Sequence, residues 1–97
     1  MEYTTEKDAI IKRANDENLI IVYSASFCGP CKMMAPNIEK AAETINIIKV
    51  DTDEASNLSS QEGIRAVPTI IHYKKGIEVG RQVGGKTKDQ LVQFFNS

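Results

Sequence analysis

Apolar residues recur along this chain at two spacings, helical and extended, and the two alternate from end to end. Thr5 reads as an N-cap with acid in the turn it opens, Glu6 and Asp8. Ala9, Ile10, Arg13 and Ala14 then suggest a short amphipathic helix ending near Asn15–Asp16. Leu19-Ile20-Ile21-Val22-Tyr23 is an unbroken β-branched and aromatic run, the pattern of a strand covered on both faces. A helix should begin around Pro30, whose missing N–H and fixed φ suit a first turn. It runs through Met33, Met34, Ile38, Ala41 and Ala42, with a kink expected at Pro36, which cannot donate its backbone hydrogen bond. Ile45 to Val50 reads as the next strand, followed by a short helix over 57–61 that stops at Gly63. Thr69 to Tyr73 is a further strand, and Lys74-Lys75-Gly76 a tight turn into Ile77–Val83, so these two strands should pair as a hairpin. Thr87 to Phe95 closes the chain as a helix with Leu91, Phe94 and Phe95 turned inward. Met1 to Thr4 is too short to assign as an edge strand.

The order β-α-β, connecting helix, β-hairpin, helix requires helices on both faces of a mixed central sheet, an α/β three-layer sandwich. The 97 residues are one domain's worth of chain, 1–97, with no repeat, low-complexity tract or linker. Twelve basic and 13 acidic side chains leave a net charge of -1. Such a balance offers no footprint for nucleic acid or an anionic membrane, and the pairs Lys12-Arg13 and Lys74-Lys75 read as solvated surface. No apolar run approaches the roughly 20 residues of a spanning helix. Residues 1–7 lack the basic and apolar regions of a secretory signal, so a cytoplasmic location is expected.

Cys28-Gly29-Pro30-Cys31 falls where the buried strand meets a helix N-terminus. Unpaired N–H groups and the positive end of the helix dipole stabilise Cys28 as a thiolate, the nucleophile of disulfide exchange. Gly29 lets the backbone pass close to a partner chain, and Pro30 stiffens the turn between the sulfurs. Cys31 lies about one turn further on, deeper in the helix, so Cys28 would attack a substrate disulfide and Cys31 resolve the mixed disulfide. Three plainer readings compete. The cysteines could be small buried hydrophobes, although the Gly-Pro between them argues otherwise. They could be a zinc half-site, for which about four ligands are wanted and only His72 remains as a candidate. Or they could be a structural disulfide, which over so short a loop restrains little chain entropy.

Leu19 to Lys32 with Pro36 resembles the active-site segment of the thioredoxin family. The resemblance continues through Lys49-Val50-Asp51-Thr52-Asp53, Gly63 to Thr69, Lys75-Gly76 and Gly84, nearly the whole chain, with a somewhat shortened N-terminus. It implies a thioredoxin-like fold and a protein-disulfide reductase cycling between dithiol and disulfide, with no metal and no cofactor beyond the Cys28–Cys31 disulfide. It also implies a cis-proline turn at Val67-Pro68 beside the sulfurs, where the Val67 backbone would pair with an extended substrate. Phe27, Gly29, Pro30, Val67, Pro68 and Gly84 would form the apolar patch that docks partners. For Gly84-Gly85 a turn needing positive φ explains the residues equally well. Implied partners are protein disulfides and a recycling disulfide reductase such as thioredoxin reductase, acting on a monomer.

Two positions depart from the family pattern. Phe27 stands where Trp usually precedes the first cysteine, which keeps a flat apolar wall but loses the indole N–H. Val22 stands where most members bury an aspartate behind the second cysteine, so Lys49, the family's lysine near that acid, lacks its usual partner. Val22 should stabilise the fold and slow the resolving step, leaving deprotonation of Cys31 to solvent or Lys49. His72 reads as a satisfied core histidine, Met33 and Met34 as packing and rim, and Tyr23 and Tyr73 as sheet-face packing. A disulfide oxidase or isomerase, and a binding module in which the sulfurs are incidental, remain as other functional classes. A glutaredoxin fits less well, since that group commonly carries Pro-Tyr between its cysteines.

Overall fold

A strand with every side chain buried must lie inside a sheet, and Leu19–Ser24 (β1) does so at all six positions in the computed structural model, which describes residues 1–97. It pairs in parallel with Ile47–Asp51 (β2) and antiparallel with Thr69–Lys74 (β3), which in turn pairs antiparallel with Ile77–Val83 (β4). The strand order is β2-β1-β3-β4. Four helices complete the fold, Glu6–Asn15 (α1), Gly29–Ala41 (α2), Ser56–Gln61 (α3) and Lys88–Phe95 (α4).

Side chains alternate across a strand, so β1 divides its residues between two cores. Leu19, Ile21 and Tyr23 face α1 and α3 through Ala9, Ala55 and Leu58. Ile20 and Val22 face α2 and α4 through Met34, Ile38, Ala41 and Leu91. This is the expected mixed sheet with helices on both faces.

Local chemistry sets the ends. Thr5 caps α1 by accepting the Asp8 N–H, and Thr87 with Gln90 forms a reciprocal capping box on α4. The hairpin turns through Lys75 at φ 52° and Gly76 at φ 80°, both left-handed, as a two-residue turn matched to strand twist requires. Gly63 at φ 67° ends the α3 turn. The second strand begins two residues later than Ile45. Thr44 and Ile45 donate to the Ala41 carbonyl, so Ile45 closes the end of α2 while still burying its side chain. The first four residues form no strand; Thr4 makes one backbone bond, to the Lys49 carbonyl at 2.7 Å.

Candidate active site

The end of β1 and the start of α2 place the cysteines. Residues 25–28 turn the chain, with the Cys28 N–H bonded to the Ala25 carbonyl. Cys28 is the N-cap of α2, its backbone still extended at φ -87°, ψ 119°. Its Sγ accepts the Cys31 N–H at 3.2 Å, so sulfur occupies the place of a capping oxygen at the positive helix end. No acidic side chain lies in the first turn of α2 to oppose a thiolate there. Cys28 and Cys31 are joined as a disulfide, with Cα atoms 5.2 Å apart. Cys31 is buried at 6% exposure whereas Cys28 is half-buried, an asymmetry that leaves one sulfur open to a partner and shields the other.

The Val67-Pro68 peptide is cis, as the resemblance implied. It brings the Val67 carbonyl oxygen to 3.7 Å from Cys28 Sγ, and Pro68 is buried. The Gly84 N–H donates to the Pro68 carbonyl at 2.9 Å, so the end of β4 is tied to the same turn. Gly84 sits at φ +100°, a conformation that favours glycine, whereas Gly85 is not left-handed. Gly29 and Pro30 are exposed, and Phe27 is 77% exposed. Phe27, Gly29 and Pro30 thus adjoin Cys28 in the chain, Val67 meets its sulfur through the carbonyl, and Gly84 is linked to that turn through Pro68. Two grooves flank them. One, about 230 Å³, runs between Phe27 and Val67 over Ile64 and Ala66. The other, about 300 Å³, runs between Pro30, Met33 and the turn into α4.

Behind the site, Val22 is fully buried and lies in register with Lys49 of β2. Lys49 makes no ion pair. Its Nζ sits 4.5 Å from the centre of the Tyr3 ring, and the Tyr3 hydroxyl is 3.4 Å from Ser24 Oγ. His72 is at the opposite end of that sheet face, bonded to the Asn18 side-chain oxygen and packed between Phe94 and Phe95. Burial, with Lys74 adding to it, pushes the His72 pKa below its ordinary value. It is a satisfied core histidine. Met34 is buried and Met33 is 81% exposed, packing and rim as the sequence suggested. No group of three or more His, Cys, Asp or Glu side chains converges in the chain.

Sequence reasoning missed three residues around the site. Ile64 and Ala66 enter the site only because the loop before Pro68 folds back beside Phe27. Tyr3 reaches Lys49 across 46 positions of sequence, with no periodic signal to announce it.

The thioredoxin family profile matches residues 2–97. The thioredoxin of Chlamydia muridarum is 41% identical over 81 residues, covering 80% of this chain and 79% of its own. The solved thioredoxin of Plasmodium falciparum superposes with a TM-score of 0.86 at 32% identity, over 96% of this chain and 93% of that one. A mutant thioredoxin from Halobacterium salinarum gives 0.87 at 28% identity, over 97% and 85%. With a reactive cysteine pair capping a helix beside a cis-proline turn, this chain belongs to the thioredoxin family and is a thiol–disulfide oxidoreductase.

Proposed function

We propose that the protein works as a monomeric, cytoplasmic reductant of protein disulfides, with residues 1–97 as one functional domain. Cys28 as thiolate attacks a substrate sulfur, forming a mixed disulfide and releasing the first substrate thiolate. Cys31 then attacks Cys28, releasing the second substrate thiol and leaving the Cys28–Cys31 disulfide, which a partner disulfide reductase returns to the dithiol. Both electrons reside in that pair, so the cycle needs no other cofactor. The observation that carries this reading is the half-buried Cys28 sulfur on the α2 N-terminus, 3.7 Å from the Val67 carbonyl. A substrate segment pairing with the Val67 backbone would present its sulfur there, between Phe27, Gly29 and Pro30 on one side and Pro68 and Gly84 on the other.

The test is the equilibrium reduction potential of the pair, with turnover of a protein disulfide by Cys28→Ser and Cys31→Ser. A potential near roughly −270 mV supports a general reductant, whereas about −120 to −180 mV would mark an oxidase or isomerase. Cys28→Ser should abolish turnover, and Cys31→Ser should accumulate the mixed disulfide. Activity that survives loss of both cysteines would make the fold a binding module.

A further inference from the structure

The two grooves that flank the sulfurs differ in charge. The one between Phe27 and Val67 carries one acid and one base, Asp53 and Arg65. The one between Pro30, Met33 and the turn into α4 carries a single base, Lys86, and no acid. It continues into a wider groove of about 540 Å³ between α4 and the β4 edge. Lys86 and Gln90 line both, so the two form one trough, from Pro30 between the cysteines to Gln82, Gln93 and Phe94. Lys86 is the one charged side chain along its whole length.

The ammonium in the middle of this trough is held and still available. Lys86 is half-buried, and its Nζ donates to the Val83 carbonyl at 3.3 Å, which folds the side chain back over the turn. A Cβ built on Gly84 would lie 4.0 Å from that Nζ. Gly84 is bonded to the Pro68 carbonyl, and Val67 before it meets Cys28 Sγ, so a few short links join the ammonium to the attacking sulfur. An ammonium has three donors, of which Val83 takes one. No carboxylate takes the others. Lys86 makes no ion pair, and Asp89, the acid nearest in sequence, pairs with Lys88 and lines neither groove.

A free charge beside an open trough discriminates among the chains laid in it, by attraction of one sign and repulsion of the other. The trough is continuous with the sulfur site through Pro30, so its occupant is the polypeptide that brings its disulfide to Cys28. We propose that Lys86 is a specificity-determining residue of the disulfide cycle: the substrate segment beside the reactive cysteine enters the trough between α2 and α4, where the Lys86 ammonium selects an acidic side chain. The inference rests on the reading of the protein as a reductant of protein disulfides and names the class it prefers. The bonds made and broken are those already described; Lys86 contributes only its charge and its place.

The test uses symmetric disulfides of short Gly/Ala peptides, each with one cysteine and with Glu, Gln or Lys at one of the four positions on either side. An extended residue advances about 3.3 Å, so the set reaches about 13 Å in each direction. Second-order rate constants for their reduction are measured at pH 7 and low ionic strength. At one position, Glu should be reduced about two- to fivefold faster than Gln, the range of a single exposed ion pair. Lys86→Gln should remove that preference, Lys86→Arg should keep it, and Lys86→Glu should turn it toward Lys. Raising the salt to about 1 M should shrink it. Lys32→Gln removes one charge from an exposed residue that lines neither groove, and should leave the Glu/Gln ratio in place. The proposal is overturned if parent and Lys86→Gln share one ratio, if the ratio is the same at every position, or if Lys32→Gln removes it equally. A parent protein that reduces none of the peptides would overturn the functional reading and the proposal with it, a result the rates separate from loss of selectivity alone.

Discussion

The two faces of the sheet bury nearly equal cores, ten residues against α1 and α3 and nine against α2 and α4, yet they are finished differently. On the α1/α3 face the largest polar groups pair with one another, although the buried Ser59 hydroxyl of α3 finds no partner. Tyr23 and Tyr73 share a buried hydrogen bond of 2.8 Å between hydroxyls, Arg13 lies over the Tyr73 ring, and Arg13 is paired with Glu62. Burial pushes the Tyr23 pKa up to about 12 and that of Tyr73 further still. On the α2/α4 face Lys49 lies against the Tyr3 ring and makes no ion pair, and Cys31 is buried. A buried polar pair whose members satisfy each other adds stability.

The largest effect should come from the α1/α3 core. Leu58→Ala empties space around a fully buried side chain and should cost about 2–5 kcal/mol, read by denaturant midpoint, with turnover unchanged while the protein stays folded. Turnover that falls with it would break the division between the faces. Val22→Asp should cost about 1–3 kcal/mol, the range for burying a polar group incompletely paired, and should move the pH profile of turnover by neutralising Lys49. An unchanged rate and profile would show that this position is electrostatically silent. Tyr23→Phe orphans the buried Tyr73 hydroxyl and should cost about 1–2 kcal/mol without touching the profile.

The smallest effect is the pH dependence from His72. Its folded pKa lies below the unfolded value of about 6.5, so the unfolded chain binds the proton first as pH falls. Its contribution is complete above that value and is lost as pH falls from about 6.5 toward the folded pKa. The lowered carboxylates Asp16, Glu39 and Glu78 act in a separate window, adding stability above the unfolded carboxylate range and losing it at lower pH. Chemical denaturation of His72→Gln should therefore show a flatter dependence between pH 5 and 7, with the acid limb below pH 4.5 retained.

Much of the fold was legible because its signals are local. Leu19–Tyr23 could only be an interior strand, Thr5 announced its helix, and Lys74-Lys75-Gly76 announced the hairpin turn. The cysteine pair was legible for a related reason, since a cap position is defined by the few residues that follow it. Ile45 was misplaced as a strand residue because an apolar side chain is needed both at the end of a packed helix and at the start of a strand, and pattern cannot separate them.

By itself, then, the sequence determined the alternation of elements, the two-sided burial of β1 and the placing of Cys28 at a helix N-terminus. Each follows from hydrogen bonding and hydrophobic contact over a few residues. The tertiary structure alone decided that the Val67 carbonyl stands 3.7 Å from Cys28, that Gly84 is tied to Pro68, and that Tyr3 covers Lys49. Those contacts join positions 16 to 46 residues apart, brought together only by the packing of the elements. No spacing in the chain encodes them, because they are set by the packing of whole elements.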